Sequence, residues 1–583
     1  MTRTLLCGQA VSLGRGRNAL EQNQIVGFNT IRYLVTWEAI EHAGPEKYDH
    51  EFVKYTIEVL KIIHKVGGLY VFMECHQDVW SRYSGGQVLL FGRSMSSGLN
   101  SPTFQRQRRP FAERSEVRSG LRSRVLSEDA LDDKLQKTRC IDHVHVILCW
   151  KHVFPHLRIN GQNIQTFLQK HHMRALGHLW YNVVHSLPEM VKDGTLLGFE
   201  SLNEPNCGLV GHSHGPPPSK PALASRHYSN SLSMFPFGNG ASGRGRCLQN
   251  HRFWPTKDGS RLVDPKGKRA WLSAEEQQKY DAKYGWRRSG WKNGECIFAG
   301  LKIWKWNKFA DWDKINQMPL DKRLEFSYQE CSLRMPNYFN QVSPKFPSTL
   351  KMKGSSSVLI CIFINHFFVE YYKRFKKIIR SISPNVFMLM EPPTLEPPPD
   401  LKNDDRGIVD EKTIYCPHYY DGLSLLMKTW NDKYNVDTLG IMRGRYLNPV
   451  LGLVVGERAI RNCIKKQFCE IANECRENLG NIPVLMSETG MPFDMDGKRA
   501  YEDGRYTSQT AAIDALANAL EGSRMHHTYW CYTSTNCHKW GDRWNNEDFS
   551  FWSPEDRDLA FDDDDTESAS FEEKQCDSLV ESN

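Results

Sequence analysis

The sequence predicts an α/β fold whose parallel strands present functional side chains at their C-terminal ends. Three observations carry this. An apolar run from Phe28 to Val35, a helix-patterned stretch from His50 to Val66 and a second apolar run from Leu69 to Met73 follow one another, with Gly67-Gly68 as the stop. Strand, helix, strand with so short a return is a βαβ unit, and its strands pair in parallel. Two distant apolar runs, Leu196-Leu197-Gly198-Phe199 and Ile482 to Met486, each deliver a glutamate just beyond their end, Glu204 and Glu488. Finally, 583 residues exceed one ordinary domain unless that domain is a barrel with insertions. One large barrel or two domains both satisfy the length.

Composition narrows the function classes. With 40% hydrophobic and 11% aromatic residues the chain is globular, and its 16 Trp suffice for the flat aromatic surfaces on which sugar rings stack. The net charge of +7 is small for this size and comes partly from one Arg-rich stretch, which argues against nucleic-acid binding. The 16 Cys are scattered without a Cys-x-x-Cys pair, so neither a zinc ribbon nor a thioredoxin-type motif is supported, and free thiols in a reducing compartment are expected. Nothing in the pattern calls for a metal or another cofactor. No charged start with an apolar core and cleavage site opens the chain, and no apolar run reaches the ~18 residues of a membrane span. The longest, Val358 to Phe363 resuming at Phe367-Phe368-Val369, is interrupted by Asn365 and His366. The expectation is an intracellular protein, in cytoplasm or vacuole, with no transmembrane segment and at most a peripheral membrane contact.

Taken in order, the first helix places Phe52, Val53, Ile57, Leu60, Ile63 and Val66 on one face. The strand after it ends in Glu74-Cys75-His76-Gln77-Asp78, and polar residues crowding that end of a parallel strand mark the place where barrel enzymes keep their sites. A lone histidine is usually a satisfied core residue; the neighbours of His76 make it a site candidate. A helix from Asn163 to His185 precedes the strand that delivers Asn203 and Glu204, where Pro205 ends the ladder because it has no N–H. The aromatic insertion of Trp286, Trp291, Trp304 and Trp306 suits lining a cleft and filling a core about equally. A helix from Phe367 to Ile382 leads to a strand from Val386 to Met390 that ends at Glu391-Pro392-Pro393, and a strand from Thr413 to Cys416 ends in His418-Tyr419-Tyr420. After Glu488 come a helix from Gln509 to Leu520 and a last strand, His527 to Tyr532, presenting Trp530.

Two glutamates at the ends of two distant strands are what retaining glycoside hydrolysis needs, with carboxyls about 5–5.5 Å apart. A single strand-end Glu is more simply a cap or a surface charge. With Asn203 and Pro205 attached to one of the pair, the catalytic reading becomes the better one.

The stretches Phe28-Asn29-Thr30-Ile31-Arg32, Trp37-Glu38-Ala39-Ile40-Glu41-His42-Ala43-Gly44-Pro45, His76-Gln77-Asp78-Val79-Trp80-Ser81-Arg82, Asn203-Glu204-Pro205 and Ser487-Glu488 together resemble glycoside hydrolase family 5, in particular its fungal sterylglucosidase and endoglycoceramidase-related branch. The likeness covers most of residues 27–86, 155–210, 260–330 and 366–552. It implies a (β/α)8 TIM barrel with long insertions and a retaining β-glucosidase acting on glycolipids, steryl (ergosteryl) β-glucoside first and glucosylceramide second. Glu204 would be the acid/base and Glu488 the nucleophile. By the same likeness Arg32 pairs with the nucleophile, Asn203 binds the sugar 2-hydroxyl, His76 and His418 are the active-site histidines, Tyr420 stands beside the nucleophile, and Trp530 floors the sugar site. Gln77, Asp78 and Trp37 are further candidate sugar contacts. Glu74-Cys75 departs from the Asp-Pro usual in relatives. A β-1,3-glucan exo-hydrolase on the same fold is the alternative enzyme, disfavoured by the missing signal peptide. A non-catalytic glycolipid-binding fragment or pseudoenzyme is the other alternative, and the intact Glu204 and Glu488 argue against it.

The likeness lapses at 87–153, 211–259 and 330–364. The first of these mixes Arg93, Arg106, Arg108, Arg109, Arg114, Arg118, Arg122 and Arg124 with serines and shows no apolar period. Such stretches read either as sequence translated out of frame or through an intron, or as linkers that cannot offset their ordering entropy by burial. The domain expectation is an N-terminal segment without clear period at 1–26, a barrel over 27–560, and an acidic disordered tail at 561–583. The family's C-terminal β-sandwich is not legible in the chain.

Overall fold

The computed structural model describes residues 3–7, 27–77, 148–207, 243–250, 255–263, 271–306, 331–335, 338–340, 358–534, 536–542 and 547–556, with 210, 317 and 319 as single positions. Most of 87–153 and 211–259, much of 330–364 and all of 561–583 lie outside these residues.

Eight strands form the frame: β1 (Arg3–Cys7), β2 (Phe28–Val35), β3 (Tyr70–Cys75), β4 (Leu196–Glu200), β5 (Phe387–Met390), β6 (Thr413–Tyr415), β7 (Leu485–Thr489) and β8 (His526–Tyr529). The first six are hydrogen-bonded in chain order. Past Pro417 the β6 chain continues as His418–Tyr419, which pairs with β7, and β7 pairs with β8. Every one of these ladders is parallel. β8 comes back alongside β1 and β2, with Cα atoms within 8 Å. Helices α1 (His50–Val66), α2 (Ile164–Ser186), α3 (Val369–Ile382), α4 (Glu457–Asn478) and α5 (Thr507–Ser523) return the chain between strands. This is the (β/α)8 TIM-barrel arrangement.

Local chemistry explains the elements. The Asp49 side chain accepts the Phe52 N–H at 2.9 Å to start α1, and Gly67, at φ 75°, stops it. Val53, Ile57, Leu60 and Ile63 form its buried face. Trp180 of α2 meets Phe199 of β4 edge-on at 5.5 Å, and Phe199 meets Phe375 of α3 in the same way at 5.5 Å. Truncating any of these rings to Ala is expected to cost about 3–5 kcal/mol. Gly198 lets β4 approach β5, since a Cβ there would lie 1.9 Å from the Phe387 carbonyl oxygen.

Some elements depart from the sequence reading. β1 arises in a stretch without an apolar period because it borrows its ladder from β2. Helix α4 buries Ile460, Ile464, Phe468 and Ile471, but Cys463, Gln467 and Cys475 complete the face, and hydrophobicity alone undervalues those three. The interrupted run Val358–Ile362 is helical and passes through a π-turn, Phe363–Phe368, straight into α3. Asn365 is accommodated there by donating to Cys361 O at 2.9 Å and accepting the Asp400 N–H at 2.8 Å. Trp286 fills core against Phe167 and Tyr284, and the Arg288 guanidinium sits over both Trp286 and Trp291. At the stretches of altered composition, Gly243–Asn250 pairs antiparallel with Pro255–Val263, which runs out of the second stretch, and Cys331–Leu333 of the third pairs with Trp304–Trp306 outside it. Among the described residues no helix is long and apolar enough to cross a membrane.

Candidate active site

The C-terminal ends of β2, β3, β4, β5 and β7 converge on Arg32. This guanidinium is fully buried in β2, where an apolar strand would not keep it without partners. Its Nε donates to Glu200 Oε2 at 2.6 Å, Nη1 to Glu488 Oε2 at 2.6 Å and Nη2 to Asn203 Oδ1 at 3.0 Å. Glu74 and Glu391 stand further off, 3.7 and 3.5 Å from Nη2. Those four carboxylates hold Arg32 well above its ordinary pKa although burial alone would lower it.

Glu488 thus lies at the end of β7 with one oxygen on Arg32. Its other oxygen accepts the Tyr420 hydroxyl at 2.9 Å. Gly490, two residues on, faces Trp530 so closely that a Cβ would lie 2.5 Å from the Trp530 carbonyl oxygen. Trp530 follows β8 directly, its N–H donating to Thr489 O at 2.8 Å and its ring stacking on His76 at 5.3 Å and 16°. His76 Nδ1 is 2.9 Å from Glu74 Oε2, so the Glu74-Cys75 departure supplies a carboxylate that orients the ring.

Asn203 and Gln77 lock the ends of β4 and β3 together. The Asn203 amide donates to Gln77 O at 2.8 Å, and the Gln77 amide donates to Asn203 O at 2.5 Å. Glu204 follows at φ 41°, in the left-handed region, with its backbone N–H donating to the Glu391 carboxylate. Burial raises the Glu204 carboxyl above its ordinary pKa, against the pull of His76 and Arg32. His418 faces Glu204 Oε1 through Nδ1 at 3.1 Å and Ser487 Oγ through Nε2 at 3.2 Å. Burial brings this histidine down to about 4, although Glu488 pulls upward, so the ring is neutral near pH 7. A carboxylate oxygen of Glu204 and one of Glu488 lie within 4.8 Å of each other and of a His418 nitrogen.

Of the residues expected from sequence, Arg32, His76, Gln77, Asn203, Glu204, His418, Tyr420, Glu488 and Trp530 are brought together. Trp37 is not. Its indole N–H donates to Glu41 Oε2 at 2.6 Å and its ring packs on His172 at 4.8 Å. Asp78 lies outside the described residues. Glu74, Glu200, Glu391 and Ser487 join the cluster without having been singled out, and their signal was available: a Glu inside or ending an apolar parallel strand needs a buried partner. Glu200, Glu391 and His418 also lie close enough together to hold a cation, but Glu200 already has the Arg32 guanidinium as its partner at 2.6 Å.

Residues 356–536 match the family model described as cellulase, glycosyl hydrolase family 5. Over 548 residues the chain is 36% identical to ergosteryl-beta-glucosidase of Saccharomyces cerevisiae, covering 92% of this chain and 67% of that one. It is 35% identical over 570 residues to a glucosylceramidase of Aspergillus fumigatus, covering 95% of this chain and 68% of the relative. The solved structure of Cryptococcus neoformans sterylglucosidase 1 superposes with a TM-score of 0.77 at 28% identity, over 93% of this chain and 71% of that one. The chain therefore spans about two thirds of the length of these relatives. With that identity sustained over most of its length, on the same barrel, the chain belongs to glycosyl hydrolase family 5.

Proposed function

We propose that this chain is a retaining β-glucosidase that hydrolyses the O-glucosidic bond of glycolipids, steryl β-glucoside first and glucosylceramide second. The observation that carries the mechanism is the carboxyl pair: one oxygen of Glu204 lies within 4.8 Å of one of Glu488, which suits the about 5–5.5 Å between the carboxyls of a retaining enzyme. The substrate order follows the relatives, an ergosteryl-beta-glucosidase and a glucosylceramidase.

In the first step a Glu488 oxygen attacks the anomeric carbon while the bond from that carbon to the glycosidic oxygen breaks. Glu204 gives its proton to the departing oxygen, which its raised pKa permits near neutral pH. In the second step Glu204, now a carboxylate, takes a proton from water; the resulting hydroxide oxygen bonds to the anomeric carbon and the ester to Glu488 breaks. Arg32 and Tyr420 keep Glu488 an oriented anion. Asn203, pinned by Arg32 and Gln77, keeps its remaining amide N–H for the sugar 2-hydroxyl, and Trp530, backed by His76, forms the floor. Neutral His418 meets Glu204 in both protonation states without adding a fixed charge.

A peripheral contact with a lipid surface fits this substrate class. Leu447, Val450, Leu451, Leu453 and Val455 are exposed large apolar side chains on the stretch between His418–Tyr419 and α4. The free thiols, Cys75 and Cys416 among them, support an intracellular location.

Mass spectrometry after treatment with a mechanism-based β-glucosidase inactivator tests the reading. An adduct is expected on the peptide carrying Glu488 and on nothing in Glu488→Gln. Folded wild-type protein that takes no label, or takes it elsewhere, would remove Glu488 as nucleophile.

A further inference from the structure

The double-displacement mechanism uses strand ends β2, β3, β4, β6, β7 and β8, and has no part for β5. Yet β5 runs directly into Glu391, a carboxyl with almost no exposure, placed under the general acid. Its Oε1 accepts the Glu204 backbone N–H and lies 3.4 Å from His418 Nδ1. The other oxygen is 3.5 Å from Arg32 Nη2 and has no hydrogen-bond partner among the described residues.

That backbone contact falls where the chain is strained. At φ 41° Glu204 occupies the left-handed region, which is unfavourable for a non-glycine residue. Holding its N–H fixes the direction in which the Glu204 side chain leaves the backbone. We propose that Glu391 is the positioning residue for the general acid, holding the Glu204 backbone from beneath while carrying a proton of its own.

The proton follows from the charges that face it. Glu200 comes from β4, Glu74 from β3, Arg32 from β2, Glu204 from the turn after β4, Cys416 and His418 from the end of β6, and Glu488 from β7. Five carboxylates around one guanidinium and a neutral His418 cannot all ionise in a dry interior. Glu200 and Glu488 have the short 2.6 Å bonds to Arg32, whereas Glu391 is left at 3.5 Å. Burial first, and then the neighbouring Glu200 charge, push Glu391 well above the carboxylate range, with Arg32 pulling the other way. A neutral Glu391 still accepts the Glu204 N–H through its carbonyl oxygen, and it does not repel Glu204 when that group becomes an anion in the second step.

The inference rests on Glu204 being the acid/base, so its test pairs two glucosides. A dinitrophenyl β-glucoside leaves without protonation; an alkyl or steryl β-glucoside needs the acid. Glu391→Leu removes the acceptor and is expected to lower kcat/KM on the alkyl glucoside by about 10²-fold, within the span of general acid catalysis, with less than about fivefold loss on the dinitrophenyl substrate. Glu391→Gln keeps a neutral acceptor and should rescue the alkyl glucoside to within about threefold of wild type. Infrared difference spectra of wild type against Glu391→Gln at pH 7 should show a carboxylic-acid C=O band only in wild type, which needs no folded Leu variant. Equal losses on both substrates, a Gln variant as impaired as Leu, or no such band in wild type would each overturn the proposal. Wild-type protein inactive on both glucosides would overturn the glucosidase reading with it.

Discussion

The two carboxyls proposed as catalytic sit at the C-terminal ends of parallel strands, Glu488 on β7 itself and Glu204 in the turn after β4, and are held in opposite ways. Glu488 is gripped on both oxygens, by Arg32 at 2.6 Å and Tyr420 at 2.9 Å, and its side chain is 9% exposed. The Glu204 side chain is 35% exposed and meets the neutral His418 at 3.1 Å and the Thr394 side chain. Its restraint comes through the backbone, from Glu391. A nucleophile has to stay an anion and keep one position; a group that protonates a leaving oxygen and then deprotonates water has to change charge and swing between them. The site therefore fixes the charge of one by cation and hydroxyl and leaves the other, partly open to solvent, able to change its charge.

If that contrast holds, the largest effect belongs to the grip on Glu488. Arg32→Met leaves Glu200 and Glu488 as buried, uncompensated carboxylates, with an expected loss of about 3–5 kcal/mol in unfolding free energy, read from urea midpoints. Burying a carboxylate without a counter-charge costs most while it is ionised. The deficit is accordingly smallest at low pH and grows as pH rises. Activity goes with it, since a protonated Glu488 is no nucleophile, and Lys at 32 does not restore the forked contact. A deficit independent of pH would mean that Arg32 serves packing and not charge.

Glu204→Ala breaks the other side of the comparison. Its kcat/KM on an alkyl glucoside should fall by on the order of 10³-fold, while formation of the glucosyl-enzyme from the dinitrophenyl glucoside should be nearly unaffected. Azide, fitting the space left by the carboxyl and needing no base, should speed turnover and yield β-glucosyl azide. An α-azide product would assign the two glutamates the wrong way round.

How much of this contrast was legible in sequence depends on where the partners sit. Glu204 and Glu488 could be read because each follows an apolar run that can only be a strand, and the motif residues around them fall in a recognisable order. Their difference in environment could not be read. It is set by Arg32, 172 and 456 positions before them (from the numbering), and by Glu200 and Glu391, which look from sequence like incidental charges at strand ends. Trp37 shows the converse error: it belongs to a long motif, but a ring at the start of the short helix Trp37–Glu41 points into the core, where Glu41 takes its N–H. Helix α1 is legible because its apolar spacing is unbroken, and α2 because Phe167, Leu168, Leu176, Leu179 and Val183 mark its face although two Gln and two His are buried among them. α4 is not, since a Gln and two Cys make up part of its buried face.

His418 offers a smaller and oppositely signed test. Its pKa falls from the ordinary 6.5 to about 4 in the fold. The unfolded chain binds the proton more readily, so the stability this implies is present above pH 6.5 and is lost as pH falls toward 4, up to about 3 kcal/mol. Comparing wild type with His418→Gln should show the wild type losing more stability over that window. Glu204 and Glu391, raised in the fold, act in the reverse sense and favour the folded state as pH falls. A difference curve that is flat between pH 6.5 and 4 would mean that the fold leaves the His418 pKa where it is in the unfolded chain, and the lowering by burial would have to be given up.

Tyr420→Phe is the mildest change and separates the two carboxyls most cleanly. Burial and the adjacent Glu488 and Glu204 hold the phenol well above its usual pKa, so at working pH it is a donor only. Removing the hydroxyl deletes one hydrogen bond to a charged acceptor, about 1.5–3 kcal/mol, or roughly ten- to a hundredfold in kcat/KM. Because the contact is to the nucleophile, the loss should be the same for dinitrophenyl and alkyl glucosides, whereas changes acting through Glu204 discriminate between them. Should Tyr420→Phe instead spare the dinitrophenyl substrate, the hydroxyl would be serving proton transfer, and the division between a clamped anion and an acid free to change charge would fail at the residue that clamps the anion.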